Sequence, residues 1–123
     1  MKEREKFSWK KRMLSFRYAW QGCVYLFRYE HNAWIHLVAM VGVIVAGILF
    51  KISLIEWCLV LLCIGSVISS EAVNSSIEAL ADRITEEKDP LIGRAKDLSA
   101  FAVLFFAIIS IIIGLIIFVP KVF

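Results

Sequence analysis

Residues 57–84, WCLVLLCIGSVISSEAVNSSIEALADRI, begin as an apolar run and end as a polar one. The first half has the composition of a transmembrane helix. The second half places carboxylates and an amide where the hydrophobic run should be ending. A charged side chain close to hydrocarbon is costly and is usually retained for a function. The segment therefore predicts a membrane-spanning fold and a polar site at one end of a span.

Three segments of this kind occur in the chain, over residues 32–50, 54–73 and 98–119. Each has about 20 residues, the length that an α-helix needs to cross roughly 30 Å of hydrocarbon. The chain has 123 residues and is 60% hydrophobic. If these three segments were buried helices of a soluble protein, a chain of this length would leave no amphipathic helices to cover them. We therefore predict an all-α integral membrane protein that forms a single domain over residues 1–123.

The basic residues are distributed unevenly around these spans. Lysine and arginine concentrate before the first span and in the loop before the third, whereas the other loop and the C-terminus have one lysine each. By the positive-inside rule, the N-terminus and the second loop face the cytoplasm. This charge lies beside the membrane, so lipid phosphate is a better partner for it than nucleic acid. The basic residues are, in chain order, Lys2, Arg4, Lys6, Lys10, Lys11, Arg12, Arg17 and Arg28, then Lys51, then Arg83, Lys88, Arg94 and Lys96, then Lys121.

Residues 8–29 have the pattern of an amphipathic helix. Its apolar side chains fall within about 100° of helix surface, and most of its cations lie elsewhere. Aromatic residues on one face and cations on the others suit a helix that lies in the membrane interface. Packing of the same face against protein is the alternative, and the interface is favoured. The apolar face consists of Trp9, Met13, Phe16, Trp20, Cys23, Val24 and Phe27.

The connections follow from turn-forming residues. Residues 51–53 predict a tight turn between the first two spans. Residues 85–93, TEEKDPLIG, predict a longer connection with a turn at Asp89–Pro90, because proline disfavours helix at the residue before it. The last helix is expected to begin with RAKDLSAFAVLF, residues 94–105, and to end at Pro120.

Four polar residues in the second span and its extension share one helix face. Glu71, Asn74, Glu78 and Asp82 occur at i, i+3, i+7 and i+11 and fall within about 80° of helix surface. A solvated helix end would explain Asp82 and Glu78, but it explains Glu71 and Asn74 poorly because hydrophobic sequence continues around them. Carboxylate and amide oxygens suit Mg²⁺, and a carboxylate can accept a proton.

Polar residues at the other two spans are positioned to meet this stripe. Glu30, Asn32 and His36 begin the first span, and Lys96 and Asp97 precede the third. His36 also fits a buried core histidine, and Lys96 also fits a residue that extends to the interface. Together these residues supply the metal ligands, cation and base that phosphoryl transfer requires. The chain has no GxxxxGK[ST], GxGxxG or HExxH motif and no CxxC spacing, which excludes the usual nucleotide-binding loops and argues against a zinc site.

Two motifs resemble a known family. EAVNSSIEALADRI, residues 71–84, followed by GRAKDLSAFAVL, residues 93–104, is similar to the signature of the prokaryotic diacylglycerol kinase family. The resemblance covers nearly the whole chain. It implies a small integral-membrane kinase of the bacterial inner membrane that uses ATP and Mg²⁺ to phosphorylate a lipid alcohol. It also implies a homotrimer whose active sites are shared between subunits.

The resemblance assigns roles to matching positions. Glu71 would be the catalytic base that acts on the lipid hydroxyl, and Glu30 and Glu78 would bind the metal. Asn74 would orient phosphates or the base, with Asp82 in a supporting place. The residues expected to contact ATP are Lys11, Tyr18, Glu30, Glu78, Glu87, Lys88, Asp89, Lys96 and Asp97. The residues expected to contact the lipid are Ser15, Phe16, Arg17, Trp20, Asn32, His36 and Glu71.

The family has two branches, which phosphorylate diacylglycerol or undecaprenol. The segment RYEHNAWIH, residues 28–36, resembles the undecaprenol kinase branch through its pattern of Glu30, Asn32 and His36. The expected activity is therefore ATP- and Mg²⁺-dependent phosphorylation of undecaprenol. Diacylglycerol kinase is the alternative within the family. A different class also stays open, a small non-enzymatic membrane subunit in which Glu71 and Glu78 line a cation pathway.

Overall fold

The computed structural model describes residues 6–123, so the predicted cytoplasmic charges Lys2 and Arg4 lie outside the described part. Within that range the chain forms four helices, α1 (Trp9–Tyr29), α2 (His31–Leu49), α3 (Leu54–Ile84) and α4 (Pro90–Val122). Of these, α2, α3 and α4 are long and apolar enough to cross a membrane. The prediction of an all-α integral membrane fold with three spans and one additional helix is confirmed.

Helix α1 exposes the apolar face that the sequence predicted. It begins after Ser8, whose hydroxyl accepts a hydrogen bond from the Lys11 amide. Trp9, Phe16 and Trp20 are each more than two-thirds exposed, whereas Leu26 near the other end is buried. Apart from Phe27, whose ring contacts Trp34 of α2, the aromatic residues of this face do not pack against the rest of the described chain, which agrees with the membrane-interface interpretation.

A single extended residue, Glu30, separates α1 from α2. Its backbone angles, φ −107° and ψ 113°, end one helix and begin the next. The last carbonyl groups of a helix lack partners within it. One of them, that of Phe27, accepts a hydrogen bond from the Trp34 indole at 2.5 Å. This contact stabilises the corner between α1 and α2, and Glu30 lies at that corner, where the surface helix meets the first span.

Helix α3 continues well beyond the predicted span. It has 31 residues and carries the whole polar stripe, with Thr85 as its C-cap. It begins with a capping box, in which the Ser53 hydroxyl accepts from the Glu56 amide and the Glu56 carboxylate accepts from the Ser53 amide. The preceding turn is tight, as predicted, and includes Lys51 in the left-handed region with φ 52°.

The predicted connection begins at residue 85, as expected, but its predicted end at residue 93 and the predicted start of the last helix were wrong. The structure ends the connection at Asp89 and begins α4 at Pro90. The Asp89 carboxylate accepts hydrogen bonds from the Leu91 and Ile92 amides at 2.9 and 3.2 Å. Asp89–Pro90 is therefore a helix start, because proline is favourable at the first helical position and aspartate is a good N-cap.

The prediction that Pro120 ends α4 was also wrong, since the helix continues to Val122. Pro120 removes one amide donor from the last turn, and the turn nevertheless stays helical. The Phe123 amide donates to the Val119 carbonyl at 3.1 Å, and the Lys121 ammonium donates to the Ile117 carbonyl at 3.1 Å. These two bonds keep the last turn helical.

Helices α3 and α4 pack along their length, with α2 beside α3. A cluster of buried Ile52, Val60 and Ile117 lies near the α2–α3 turn. Gly47 of α2 approaches the Trp57 ring so closely that a Cβ atom there would lie 2.7 Å from it. We call this region, with the Glu56–Lys121 ion pair, the turn end. The opposite end contains Glu30, Glu71, Glu78 and Lys96, and we call it the carboxylate end.

Candidate active site

Glu71 is the centre of the carboxylate end. Its side chain is 1% exposed, and it is the largest fully buried side chain of the described residues. The His36 imidazole of α2 approaches it, with 3.5 Å between Nε2 and Oε2. The Oε2 atom has no hydrogen-bond partner in the described protein. A buried carboxylate oxygen without a donor is able to accept a proton.

Glu30 and Glu78 belong to the same electrostatic site. Both interact with the Glu71 carboxylate, as does His36. Glu30 comes from the corner between α1 and α2, and Glu78 lies two turns along α3 from Glu71. The structure therefore brings together four of the predicted residues from three sequence segments. Three carboxylates in one region repel one another, and a cation relieves that repulsion.

The carboxylates fit part of a magnesium site. Within residues 6–123, no group of three or more histidine, cysteine, aspartate or glutamate side chains has the arrangement of a metal site. Magnesium usually keeps several waters and binds through one or two carboxylates together with substrate phosphates. Glu30 and Glu78 are the kind of ligand that this binding mode uses, and a closed site of protein ligands alone is not formed within residues 6–123.

Lys96 reaches the stripe from α4. Its ammonium group lies 2.5 Å from an Asp82 carboxylate oxygen, and it also interacts electrostatically with Glu78. The Lys96 and Asp82 side chains are 39% and 65% exposed, so this pair lies at the surface of the chain. The predicted supporting residue Asp82 is thus the ion-pair partner of the predicted ATP-binding lysine.

Asn74 contacts a residue that the sequence analysis did not identify. The Ser99 hydroxyl of α4 donates to the Asn74 carboxamide oxygen at 2.7 Å. The same hydroxyl lies 2.9 Å from the Lys96 carbonyl oxygen. The signal that could have revealed Ser99 is its place one turn after Lys96, on the same side of α4. Another polar atom that was missed is the Ser75 hydroxyl, which is buried and has no hydrogen-bond partner among residues 6–123.

The remaining predicted ATP contacts are not gathered around Glu71. Asp89 caps α4, and the Glu87 amide donates to the Thr85 hydroxyl at 3.0 Å. Lys88 and Asp97 are exposed. Glu87, Lys88 and Asp89 lie around the start of α4, about two turns of helix before Lys96, whereas Asp97 directly follows Lys96 in α4. No contact joins these four side chains to Glu71 in the described structure.

The predicted contacts on α1 also lie apart from Glu71. The Ser15 hydroxyl is bonded to the Lys11 carbonyl at 3.1 Å. Phe16, Tyr18 and Trp20 are exposed, as is Arg17. Of the predicted lipid contacts on α2, Asn32 is exposed and His36 reaches Glu71. The α1 residues are therefore available to lipid or to another subunit.

An apolar groove leads away from His36 between α2, α3 and α4. Its volume is about 390 Å³. Its walls include Met40, Ile64, Val67 and Ile111. The groove therefore provides an apolar surface that ends at His36, the histidine that contacts Glu71.

Comparisons with known proteins show the family to which the chain belongs. The family model described as "Prokaryotic diacylglycerol kinase" matches residues 17–118. The "Undecaprenol kinase" of Bacillus subtilis (strain 168) is 44% identical over 107 residues, which cover 87% of each protein. A "Diacylglycerol kinase" of Synechocystis sp. is 35% identical over 83% of this chain and 59% of that protein. The "Diacylglycerol kinase" of Escherichia coli (strain K12) is 33% identical over 77% of this chain and 78% of that protein. The chain therefore belongs to the prokaryotic diacylglycerol kinase family.

Proposed function

We propose that this chain transfers the γ-phosphoryl group of ATP to the hydroxyl of undecaprenol, which yields undecaprenyl phosphate and ADP. The observation that carries the proposal is the 44% identity to an undecaprenol kinase over 87% of both proteins. The pattern of Glu30, Asn32 and His36 supports the same branch. The His36 side chain contacts the buried glutamate around which the site is built.

Glu71 acts as the general base in this proposal. The lipid oxygen forms a bond to the γ-phosphorus, the bond from that phosphorus to the ADP oxygen breaks, and the hydroxyl proton passes to Glu71. The Oε2 atom supports this role because it accepts no hydrogen bond within the described protein and so has a lone pair available. General-base catalysis typically contributes about 10²–10⁴-fold. The His36 imidazole is a polar neighbour of the Glu71 carboxylate, which is otherwise buried.

The other carboxylates and the lysine serve ATP. Glu30 and Glu78 would hold Mg²⁺ together with the nucleotide phosphates. The ion, when bound, neutralises charge that develops on the transferring group. Lys96 exchanges Asp82 for a phosphate oxygen, which its exposed ion pair allows. The exposed loop residues Glu87 and Lys88 and the α4 residue Asp97 are proposed as further ATP contacts, with Lys11 and Tyr18 from α1.

The lipid is proposed to enter from the membrane. The groove of about 390 Å³ that begins at His36 is lined mostly by apolar side chains and suits an isoprenoid chain. An uncharged histidine is cheaper to desolvate beside hydrocarbon than a second carboxylate. Ser15, Phe16, Arg17, Trp20 and Asn32 would contact the lipid near the headgroup level.

A homotrimer in the bacterial inner membrane completes the proposal. The described residues supply two metal carboxylates but no complete metal cluster, and the aromatic face of α1 is uncovered by its own chain. A neighbouring subunit would contribute to each site and would cover apolar surface. The basic residues before α2 and before α4 support a cytoplasmic N-terminus.

Diacylglycerol is the second candidate substrate, because relatives named diacylglycerol kinase are 33% and 35% identical to this chain. The non-enzymatic cation pathway is not retained, since the matched family and relatives are kinases.

The test compares both lipids in one assay. The purified protein in mixed micelles receives ATP and Mg²⁺ with undecaprenol or diacylglycerol at equal mole fraction, and the Glu71→Gln protein serves as the control for contaminating kinases. We expect the larger kcat/KM with undecaprenol and some turnover of diacylglycerol. A tenfold preference for diacylglycerol, about 1.4 kcal/mol, would overturn the branch assignment. No transfer to either lipid would overturn the kinase proposal.

A further inference from the structure

Ser99 forms a buried polar link between the two longest helices. Its side chain is 7% exposed, and its hydroxyl donates to Oδ1 of Asn74 at 2.7 Å, across 25 positions of sequence. A second acceptor, the Lys96 carbonyl, lies 2.9 Å away in the same helix. One hydroxyl therefore connects the amide of the α3 stripe to the turn of α4 that carries Lys96.

The link determines which atoms of Asn74 are used. A carboxamide has an oxygen that accepts and an NH₂ group that donates two hydrogens. When Ser99 occupies the oxygen, the NH₂ group is left to donate elsewhere. Donors are what the oxygens of a polyphosphate require. A carboxylate at the same position would repel such a ligand.

The link also fixes the axial position of α4 relative to the polar residues of α3. Asn74 and Asp82 lie one turn before and one turn after Glu78 on α3. Ser99 bonds the first of these residues, and Lys96 pairs with the second at 2.5 Å. Glu78 is thus bracketed by two contacts between α3 and α4, and the ammonium group interacts with it as well.

We propose that Ser99 is a positioning residue for phosphoryl transfer. It holds the carboxamide oxygen of Asn74 so that the NH₂ group is donated to the phosphates of ATP, and it fixes the turn of α4 that presents Lys96. The proposal rests on the kinase function proposed above. It adds a residue that acts through Asn74 and Lys96 without touching the reacting atoms.

The first experiment measures ATP and lipid kinetics for Ser99→Ala and Ser99→Thr. We expect Ser99→Ala to raise the KM for ATP about three- to tenfold, the effect of losing one hydrogen bond, with little change in the KM for lipid. Ser99→Thr retains the hydroxyl and should restore most of the ATP affinity. A KM for ATP that is unchanged in Ser99→Ala would overturn the proposal.

Ser76→Ala is the matched control. The Ser76 hydroxyl donates to the Val73 carbonyl three positions earlier, at 2.7 Å, which is the same intrahelical contact that Ser99 has with Lys96. Ser76 is exposed and makes no link to α4 in the described structure. We expect its kinetics to match those of the wild type. An equal loss in Ser76→Ala would assign the Ser99 effect to the helix and overturn the positioning role.

A double-mutant cycle with Asn74 separates positioning from simple stability. In an Asn74→Ala background, Ser99→Ala should cause no further rise in the KM for ATP, because the side chain on which it acts is gone. The same fold-change in both backgrounds would show that Ser99 acts independently of Asn74. Asn74→Asp keeps an oxygen for Ser99 but removes the donors, so it should weaken ATP at least as much as Asn74→Ala does.

Equilibrium binding of ATP to the purified variants provides a readout that does not need turnover. Weaker binding in Ser99→Ala, with wild-type binding in Ser76→Ala, supports the positioning role whichever lipid is the substrate. Equal binding in all three proteins rejects it. Failure of the wild type to phosphorylate any lipid alcohol would instead reject the proposed function, so the two failures are distinguishable.

Discussion

The two ends of the α3–α4 pair each contain a lysine paired with a carboxylate, yet the pairs differ in their surroundings. At the turn end, Lys121 and Glu56 lie 2.7 Å apart, and both side chains are about one-quarter exposed. Glu56 also accepts from the Ser53 amide, and Lys121 also donates to the Ile117 carbonyl. At the carboxylate end, Lys96 and Asp82 are 39% and 65% exposed.

This difference separates a structural contact from an exchangeable one. The turn-end pair is supported by a capping box and by the apolar cluster of Ile52, Val60 and Ile117. The Lys96–Asp82 pair is exposed at the surface of the chain, and exposed ion pairs contribute little stability. In the proposed function, a phosphate therefore replaces Asp82 at small cost. Under that proposal, the same two side-chain types stabilise the fold at one end and bind a nucleotide at the other.

The largest expected effect comes from removing a metal carboxylate at the carboxylate end. Glu30→Ala and Glu78→Ala should each abolish phosphate transfer while the helix content by circular dichroism stays unchanged. The exposed loop residue Glu86 provides the matched control, and Glu86→Ala should retain activity. Wild-type turnover in either site variant, or full wild-type activity under thorough chelation, would contradict the assignment.

The next effect concerns the buried base. Glu71→Gln should lower kcat by about 10²–10⁴-fold, because the amide keeps the shape but cannot take a proton. ATP binding should survive, since Glu71 is not assigned to the nucleotide. Phosphate transfer and equilibrium nucleotide binding measure the two quantities separately. Unchanged turnover would leave Glu71 as a structural residue and would place the base elsewhere.

The smallest effect compares the two ion pairs directly. Glu56→Gln should lower the thermal midpoint in detergent and leave kcat unchanged, because the turn-end pair is far from the chemistry. Asp82→Asn should leave the midpoint nearly unchanged and alter the KM for ATP, because it frees Lys96. Thermal unfolding and ATP kinetics of both variants check this contrast. The reverse pattern would show that the structural contact is at the carboxylate end.

The hydrophobic pattern was sufficient to predict the spans and the surface helix. Apolar runs of about 20 residues identify spans because hydrocarbon thickness sets their length. The spacing of Glu71, Asn74, Glu78 and Asp82 was sufficient to predict that they share one helix face, because the number of residues per turn fixes which positions lie on the same side. The contact between His36 and Glu71 agrees with the expectation that the two helix starts meet the stripe.

Local chemistry near the helix ends was harder to predict. Asp89–Pro90 signals a turn and a helix start equally well, and the capping hydrogen bonds decide between them. Pro120 was expected to end α4, yet a bond from the Phe123 amide continues the last turn. The Ser99–Asn74 link depends on how far α4 slides along α3. No sequence periodicity fixes that register, so only the structure reveals the partner.

The length of α3 has a consequence for how this kinase would encounter its lipid. Its 31 residues extend for about 46 Å, and Glu71 lies about 26 Å from Leu54 along a bilayer core of about 30 Å. With Leu54 at one boundary of the hydrocarbon, Glu71, the proposed base, falls just within the other boundary, at the level where the hydroxyl of a membrane lipid resides. Collisions occur by lateral diffusion in two dimensions, without extraction of the chain into water. Reaction velocity then depends on the surface density of substrate, and diluting the bilayer with inert lipid slows the enzyme at a fixed bulk concentration.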